Sequence, residues 1–518
     1  MNGAETPAAR RLTFNVGITT IGRVGQSALG FFAVAYMARV LGPASFGLLS
    51  YAGAMLTYFS VLSSMGIHTF AGRTTAQADD RSAAVGQMLS VLVILAALSF
   101  GILVAATPFL HLTMQQRIIL VVSGVEIVTG VGRITWAFSA VERMVMPTIA
   151  GICGTLGRLG FVLFLVHGPN GLVWAALSTG LAGLIASIIE IVAFVRIMPI
   201  RLRFSLNLLL DTVRRSLPMT VSLIMTSIYG SCDTIMLGYL KGAQDVAFYG
   251  AAYKLTGFLA NVRNTYTQTS LPIVGLMYKK SPTAVVGLVQ RNIHLALAAA
   301  FPIVLGGWIT APALIHLIFG ASYANALWPF RILLLSWFLS VAGVHYSNTL
   351  IATNSERSFS HAVIVGAIIN VASNFWAIPR YGIVGAATAS LITECIVLAY
   401  SVVATGKKLG YYGPRLGIMA RILWNSMIMS AAILFLIRLR IGIMLVVFTA
   451  IFMRKGTPSW RNRARASKRY GNPFCSLRRP TDSSRMARPT GMGRDRTPSR
   501  LFLGTRFRMV LTRAVSTP

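Results

Sequence analysis

The chain has 518 residues, 55% of them hydrophobic and only 12% charged, with a mean hydropathy of +0.67. Soluble domains carry about 25% Asp, Glu, Lys and Arg, so a soluble enzyme, a disordered chain and a collagen-like chain are all excluded. The net charge of +34 is unevenly spread: residues 438–518 hold 19 basic and 2 acidic side chains, or +17, and the 437 residues before them contribute another +17.

A membrane span needs about 20 mostly apolar residues. Spans are predicted at 12–41, 44–66, 84–110, 117–138, 145–167, 171–196, 216–240, 246–277, 290–318, 328–353, 359–379, 383–405 and 417–437, with a weaker fourteenth run at 441–453. The first run is too long for a signal-peptide core, so it reads as a retained span. Lys and Arg in the loops set the orientation. With the N-terminus in the cytoplasm, 18 basic residues fall in cytoplasmic loops and 7 on the opposite side. No outer loop reaches 15 residues, so function must lie within the helices or their short connections.

The longest polar stretch before the tail is 197–215, between spans six and seven. The halves on either side echo each other. GLVWAA at 171–176 recurs as GIVGAA at 382–387, and FGLLSYAG at 46–53 has a looser echo in VAFYGAA at 246–252. Both halves start on the same side, so the repeat is parallel, an arrangement typical of transporters that rock two bundles about a central site. The predicted fold class is therefore an all-α polytopic membrane protein of about 12–14 transmembrane helices in two six-helix lobes related by a parallel repeat. The lobes are expected at 1–196 and 216–405, joined by a linker at 197–215 and followed by extra helices at 406–453.

A basic, disordered tail is expected at 454–518, with 15 Arg, 2 Lys and six Pro. It reads as a polybasic segment for anionic lipid, as a nucleic-acid tail, as a plain extension, or as text translated out of frame after about residue 437. It is assigned no site. Cys153, Cys232, Cys395 and Cys475 form no C-x-x-C pair, and the first three read as buried small hydrophobes. The seven histidines show no ligand spacing. No catalytic residue, metal or cofactor is predicted.

Five motifs then carry a resemblance. ARVLGPASFG at 38–47 resembles the first-loop signature of the bacterial polysaccharide biosynthesis (Wzx-type) flippases, within the multidrug/oligosaccharidyl-lipid/polysaccharide flippase superfamily. WAFSAVERM at 136–144 resembles their fourth-span motif, with Ser139 and Ala140 where Gln-Gly is expected. CDTIMLG at 232–238 followed by AFYGAAYKL at 247–255, LIFGASYANALWPFRIL at 317–333 and INVASNFWAIPRYGIVGAATASLITE at 369–394 complete the set in order. The resemblance covers residues 12–430. It implies two lobes around a central cavity, alternating access, and an isoprenoid-diphosphate-linked oligosaccharide moved across the inner membrane for exopolysaccharide or O-antigen assembly. Implied partners are this lipid-linked oligosaccharide, membrane lipids, a polysaccharide polymerase and glycosyltransferases, and a coupling ion, H+ or Na+. Nucleic acid is not an expected partner. A drug/cation antiporter of the same superfamily and a membrane-embedded sugar polymerase remain as alternatives.

Charges inside spans must face a wet cavity or a partner. They are Arg23, Glu126, Arg133, Arg158, Glu190, Asp233, Lys254, Arg263 and Glu394. Arg suits a diphosphate through its planar fork and Lys as a point charge. In the family, spans one, two, seven and eight line the cavity, which implies cavity roles for Arg23, Lys254 and Arg263; Arg158 divides evenly between cargo and structure. Glu126 and Arg133, seven apart on one predicted helix, read as a structural pair. Asp233 and Glu394 suit ion coupling and serve equally well as partners of the cations.

The loop bias makes the topology testable. Reporter fusions after Arg81, within 201–214 and after Lys408 should all report cytoplasm; a periplasmic signal at 201–214 would sink the two-lobe reading.

Overall fold

The computed structural model describes residues 7–431, apart from 203, 412, 414–416, 418, 419, 422, 423 and 429. The end of the thirteenth predicted span, the run at 441–453, the tail and Cys475 lie outside the described residues.

The described residues form helices without a strand. In chain order they are α1 (Pro7–Ser64), α2 (Ile67–Gln77), α3 (Arg81–Ala106), α4 (Met114–Thr129), α5 (Thr135–Ala140), α6 (Val145–Leu165), α7 (Leu172–Val195), α8 (Leu206–Leu240), α9 (Ala243–Lys280), α10 (Pro282–Phe319), α11 (Leu327–Ala352) and α12 (Glu356–Leu409). Among the described residues, nine stretches are long and apolar enough to cross a membrane. Two of them, with 48 and 54 residues, are far too long for one crossing. At a rise of about 1.5 Å per residue each exceeds about 70 Å, against a hydrocarbon core of about 30 Å. Each breaks at a glycine: α1 at Gly42, followed by Pro43, and α12 at Gly382. With α9, whose charges keep its hydropathy low, the count reaches the first twelve predicted spans. The chain is thus an all-α, multi-pass membrane protein.

The break in α1 shares its backbone conformation with two of the turns between helices. Gly42, Gly242 and Gly320 have φ of 73°, 96° and 94° and ψ of 170°, 178° and 174°. Positive φ at these turns is accessible to glycine at little cost. Gly42 and Gly242 stand 200 residues apart, the offset of the looser sequence echo. These turns gather at one end of the bundle. Tyr323 Oη donates to Ala38 O at 2.9 Å, Arg39 Nε to Ile318 O at 2.8 Å, and Lys241 Nζ to Pro379 O at 3.0 Å. Here Ala38, Phe46 and Tyr51 of α1 join one apolar core with Leu237, Tyr249 and Tyr323, so the two halves are sealed together. The same end carries cations over aromatic rings, Arg380 on Trp376 at 4.8 Å and Arg331 on Trp328 at 5.2 Å. Such belts mark a membrane–water interface. Phe109, Phe164 and Phe375 are 83%, 80% and 75% exposed, as lipid-facing residues are.

Two expectations shift. α8 begins at Leu206, ten residues before the predicted span, because a polar amphipathic turn extends it, with Arg215 paired to Asp211 at 2.8 Å. The connection before it docks on α3: Ser82 donates to Pro199 O, and Gly86 leaves room only for the backbone of Arg201. Cys395, expected to be buried, is exposed, while Cys153 and Cys232 are half-buried. A thiol is apolar enough to stand outside a membrane bundle.

Gly47 tests the seal. A Cβ there would lie 1.7 Å from Ala243 O, a backbone atom of the other half that cannot swing aside. Gly47→Val should lower the thermal midpoint of the purified protein, by an overpacking cost of about 1–3 kcal/mol. Gly30→Ala, which meets open space, should stay within about 0.5 kcal/mol of the parent. Equal midpoints for both variants would mean that the halves do not depend on this contact.

Candidate functional site

A cavity of about 540 Å³ lies between the halves. It is walled by α1, α4, α6, α7, α8 and α9, and the charged residues on its wall are Glu126, Arg158 and Lys254. Small residues place them. Gly154 of α6 leaves room only for Ala182 O and the Ala186 side chain of α7. This close approach brings Arg158, one turn further on, to Ser178, whose hydroxyl accepts from Nε at 3.3 Å and donates to Ala175 O at 2.7 Å. On the other side Gly250 of α9 faces Ser50 of α1. Lys254 sits four residues along the same face and therefore reaches the cavity below that contact. Glu126 of α4 lies in the field of both cations. One carboxylate from the first half thus faces one cation from each half.

A second polar cluster lies within the later helices. Asp233 of α8 is 2% exposed and accepts from the Tyr249 hydroxyl, from Ser390 Oγ at 3.3 Å and from its neighbour Thr234 N at 2.7 Å. Glu394 of α12 accepts from the Tyr229 hydroxyl. Arg263 of α9 donates to Ser340 of α11 and, through Nε and Nη2, to Asn264 Oδ1 at 3.2 and 3.0 Å. It lies within electrostatic reach of Glu394. Asp233 is thus held by hydroxyls and a backbone N–H, and Glu394 by a hydroxyl.

The fourth span is broken. α4 stops at Thr129, a turn of 3-10 helix covers Gly130–Gly132, and α5 starts at Thr135. Arg133 falls in the break with φ −75° and ψ 86°, so the face shared by residues seven apart on one helix does not exist. Glu126 and Arg133 still line a common cavity, of about 630 Å³, lined by residues of the first half. Glu190 of α7 is fully buried and accepts from the Thr135 hydroxyl at 3.1 Å and from the backbone at Ile134. It supplies an acceptor at the break, where helix termini leave N–H groups unpaired.

The structure brings Arg158 and Lys254 together, and separately Arg263 and Glu394, with Asp233 nearby through Tyr253. Arg23 is exposed on the first arm of α1 and lines neither of these two cavities. Tyr229, Tyr249, Ser178 and Thr135 were not anticipated. The spacing of Tyr249 and Tyr253, four apart in AFYGAAYKL with rings stacked at 6.2 Å, was the available signal.

Tyr249→Phe removes a donor from a buried carboxylate. It should lower the thermal midpoint, with a loss of about 1–3 kcal/mol. Adding Asp233→Asn should then cost less than it does in the parent, by a coupling of about 0.5–3 kcal/mol. Strict additivity in this cycle would show that the pair does not interact.

Comparison with known proteins agrees with this architecture. The family model described as polysaccharide biosynthesis protein matches residues 12–277. A candidate O-antigen transporter of Escherichia coli (strain K12) is 23% identical over 373 residues, covering 70% of this chain and 89% of that protein. A second, from Shigella dysenteriae, is 26% identical over 51% of this chain and 67% of its own length. Among solved structures, the lipid II flippase MurJ in an inward closed conformation superposes with a TM-score of 0.68 at 14% identity, over 85% of this chain and 99% of that one. An inward-facing multidrug resistance MATE transporter of the MOP superfamily follows with 0.62, also at 14% identity, over 75% of this chain and 98% of its own. At such identities these structures share the fold. With the family model spanning just over half of its length, the chain belongs to the polysaccharide biosynthesis protein family.

Proposed function

We propose that this protein is a flippase that carries isoprenoid-diphosphate-linked oligosaccharide across the inner membrane, for exopolysaccharide or O-antigen assembly. The carrying observation is the interlobe cavity, where Arg158 and Lys254 approach from opposite halves with Glu126 as the carboxylate on its wall. A diphosphate is an anion that two converging cations can grip, and its arrival would draw the halves together. The names of the two bacterial relatives support the same cargo class. The protein acts as a transporter and needs no covalent chemistry.

Taking 1–196 and 216–405 as the lobes and the N-terminus as cytoplasmic, the sealed end around Gly42 faces outward and the cavity fills from the cytoplasm. Transport then requires the seal to open while the opposite end closes. Arg263 and Arg23 serve as further stations for the anion, Arg263 deeper in the second lobe and Arg23 on the exposed arm of α1. Asp233 and Glu394, buried among hydroxyls, are the positions for a coupling H+ or Na+. A drug/cation antiporter of the same superfamily is the competing reading. It fits the cavity less well, because two cations line it against one carboxylate.

The test is surface polysaccharide made by cells that lack their own flippase and carry each variant at equal membrane abundance. Arg158→Gln and Lys254→Gln should each lower export about tenfold, since a charge-assisted bond contributes about 1.5–3 kcal/mol. Arg158→Lys, which keeps the charge and loses the fork, should be partly active. Full export by both Gln variants would remove the anion-gripping role. Raised resistance to cationic drugs on expression would favour the antiporter.

A further inference from the structure

We propose that the cavity lined by residues of the first lobe is a saccharide subsite, which takes the sugar next to the diphosphate. The inference rests on the cargo reading above. The cavity has about 630 Å³, within the range of small-molecule sites, and its wall comes from residues between Gln26 and Ala186. It adjoins the interlobe cavity, because Glu126 and Thr179 line both. A group bound at Arg158 and Lys254 therefore has a neighbouring recess into which its covalent substituent can extend.

The chemistry of the wall selects what fills it. Gln26, Ser60, His68, Arg133, Thr135 and Ser139 offer donors and acceptors in turn, beside the ring of Trp136. Sugar hydroxyls both donate and accept, so they can pair with such a set. An acyl chain or an apolar drug would strip these groups of water and leave them unpaired. Arg133 and Glu126 balance in charge, which disfavours a second diphosphate here.

Gln26 and Thr155, which also lines this cavity, are held in place. The Gln26 amide rests on Gly151, where a Cβ would lie 2.6 Å from its oxygen, and the Thr155 hydroxyl is tied to Gly151 O at 2.8 Å. α6 therefore presents a flat seat for Gln26 from α1. The break in the fourth span opens the wall at Arg133 and Thr135, and Glu190 holds that break from behind.

The experiment uses the full chain in lipid nanodiscs and two probes. One is farnesyl diphosphate. The other is farnesyl diphosphate carrying glucose, galactose or N-acetylglucosamine, each tested separately. The parent should bind the best glycosylated probe more tightly than the bare one. Gln26→Leu and Thr155→Val, each checked for an unchanged thermal midpoint, should weaken that glycosylated probe about three- to tenfold, the range of one or two lost neutral hydrogen bonds. Both should leave the bare probe unchanged, whereas Arg158→Gln should weaken both probes. If the parent binds every probe alike, or if both cavity variants bind the glycosylated probe as the parent does, the sugar subsite is overturned and the cargo reading survives. If the parent binds neither kind of probe, or Arg158→Gln changes neither affinity, the cargo reading fails and the subsite with it.

Discussion

A polar group inside a bilayer has no water to pair with, so the protein must supply each partner. That constraint organises the interior of this bundle. Asp233 is held by Tyr249, Ser390 and Thr234, Glu394 by Tyr229, and Glu190 by Thr135. Hydroxyl and backbone N–H donors make the hydrogen bonds to these carboxylates, while Arg263 and Arg133 act on Glu394 and Glu190 through space. Arg158 keeps one bond to Ser178 and otherwise faces a cavity it shares with Lys254. Glu126 is the acid that shares that cavity with the two cations.

The same scarcity of partners shapes the sealed end. Tight turns at Gly42, Gly242 and Gly320 bring carbonyls and side chains of the two halves into contact, and Tyr323, Arg39 and Lys241 take up backbone oxygens there. Glycines also allow the approach: Gly47 meets a backbone carbonyl and Gly238 meets the Tyr51 ring. Close packing of small residues is how helices associate where lipid is as apolar as leucine. The seal is thus built from short-range contacts, the kind that a rocking motion can break and remake together. Gly250, one step inside that seal, sets the position of Lys254 and so couples the packing to the cavity.

The broken fourth span shows the constraint at its sharpest. Interrupting a helix at membrane depth frees backbone groups, which are tolerated where protein or a cavity takes them up. Glu190 meets the break on one side and a polar cavity opens on the other. Discontinuous helices in transporters commonly mark binding sites for this reason. A break in the helix and a polar recess therefore occur together in the first half of the chain.

The class of protein and its first twelve spans were legible in the residues themselves, because lipid imposes a length and an apolar content on every crossing. The first twelve predicted spans fall on helical stretches, the fourth of them interrupted, and the gaps left at 42–43 and 380–382 hold the breaks at Gly42 and Gly382. The inventory of intramembrane charges was legible too, since each costs energy wherever it lies. Their pairing was not. Glu126 and Arg133 looked like neighbours on a helix that is in fact broken between them, and Arg158 proved to face Lys254, 96 positions further along the chain. Which helix faces meet depends on glycine contacts between distant segments, such as Gly154 on Ala182 and Gly250 on Ser50. Hydropathy records how much of a helix is apolar and carries no information about which neighbour it touches, so only the tertiary packing decided which charges share a cavity.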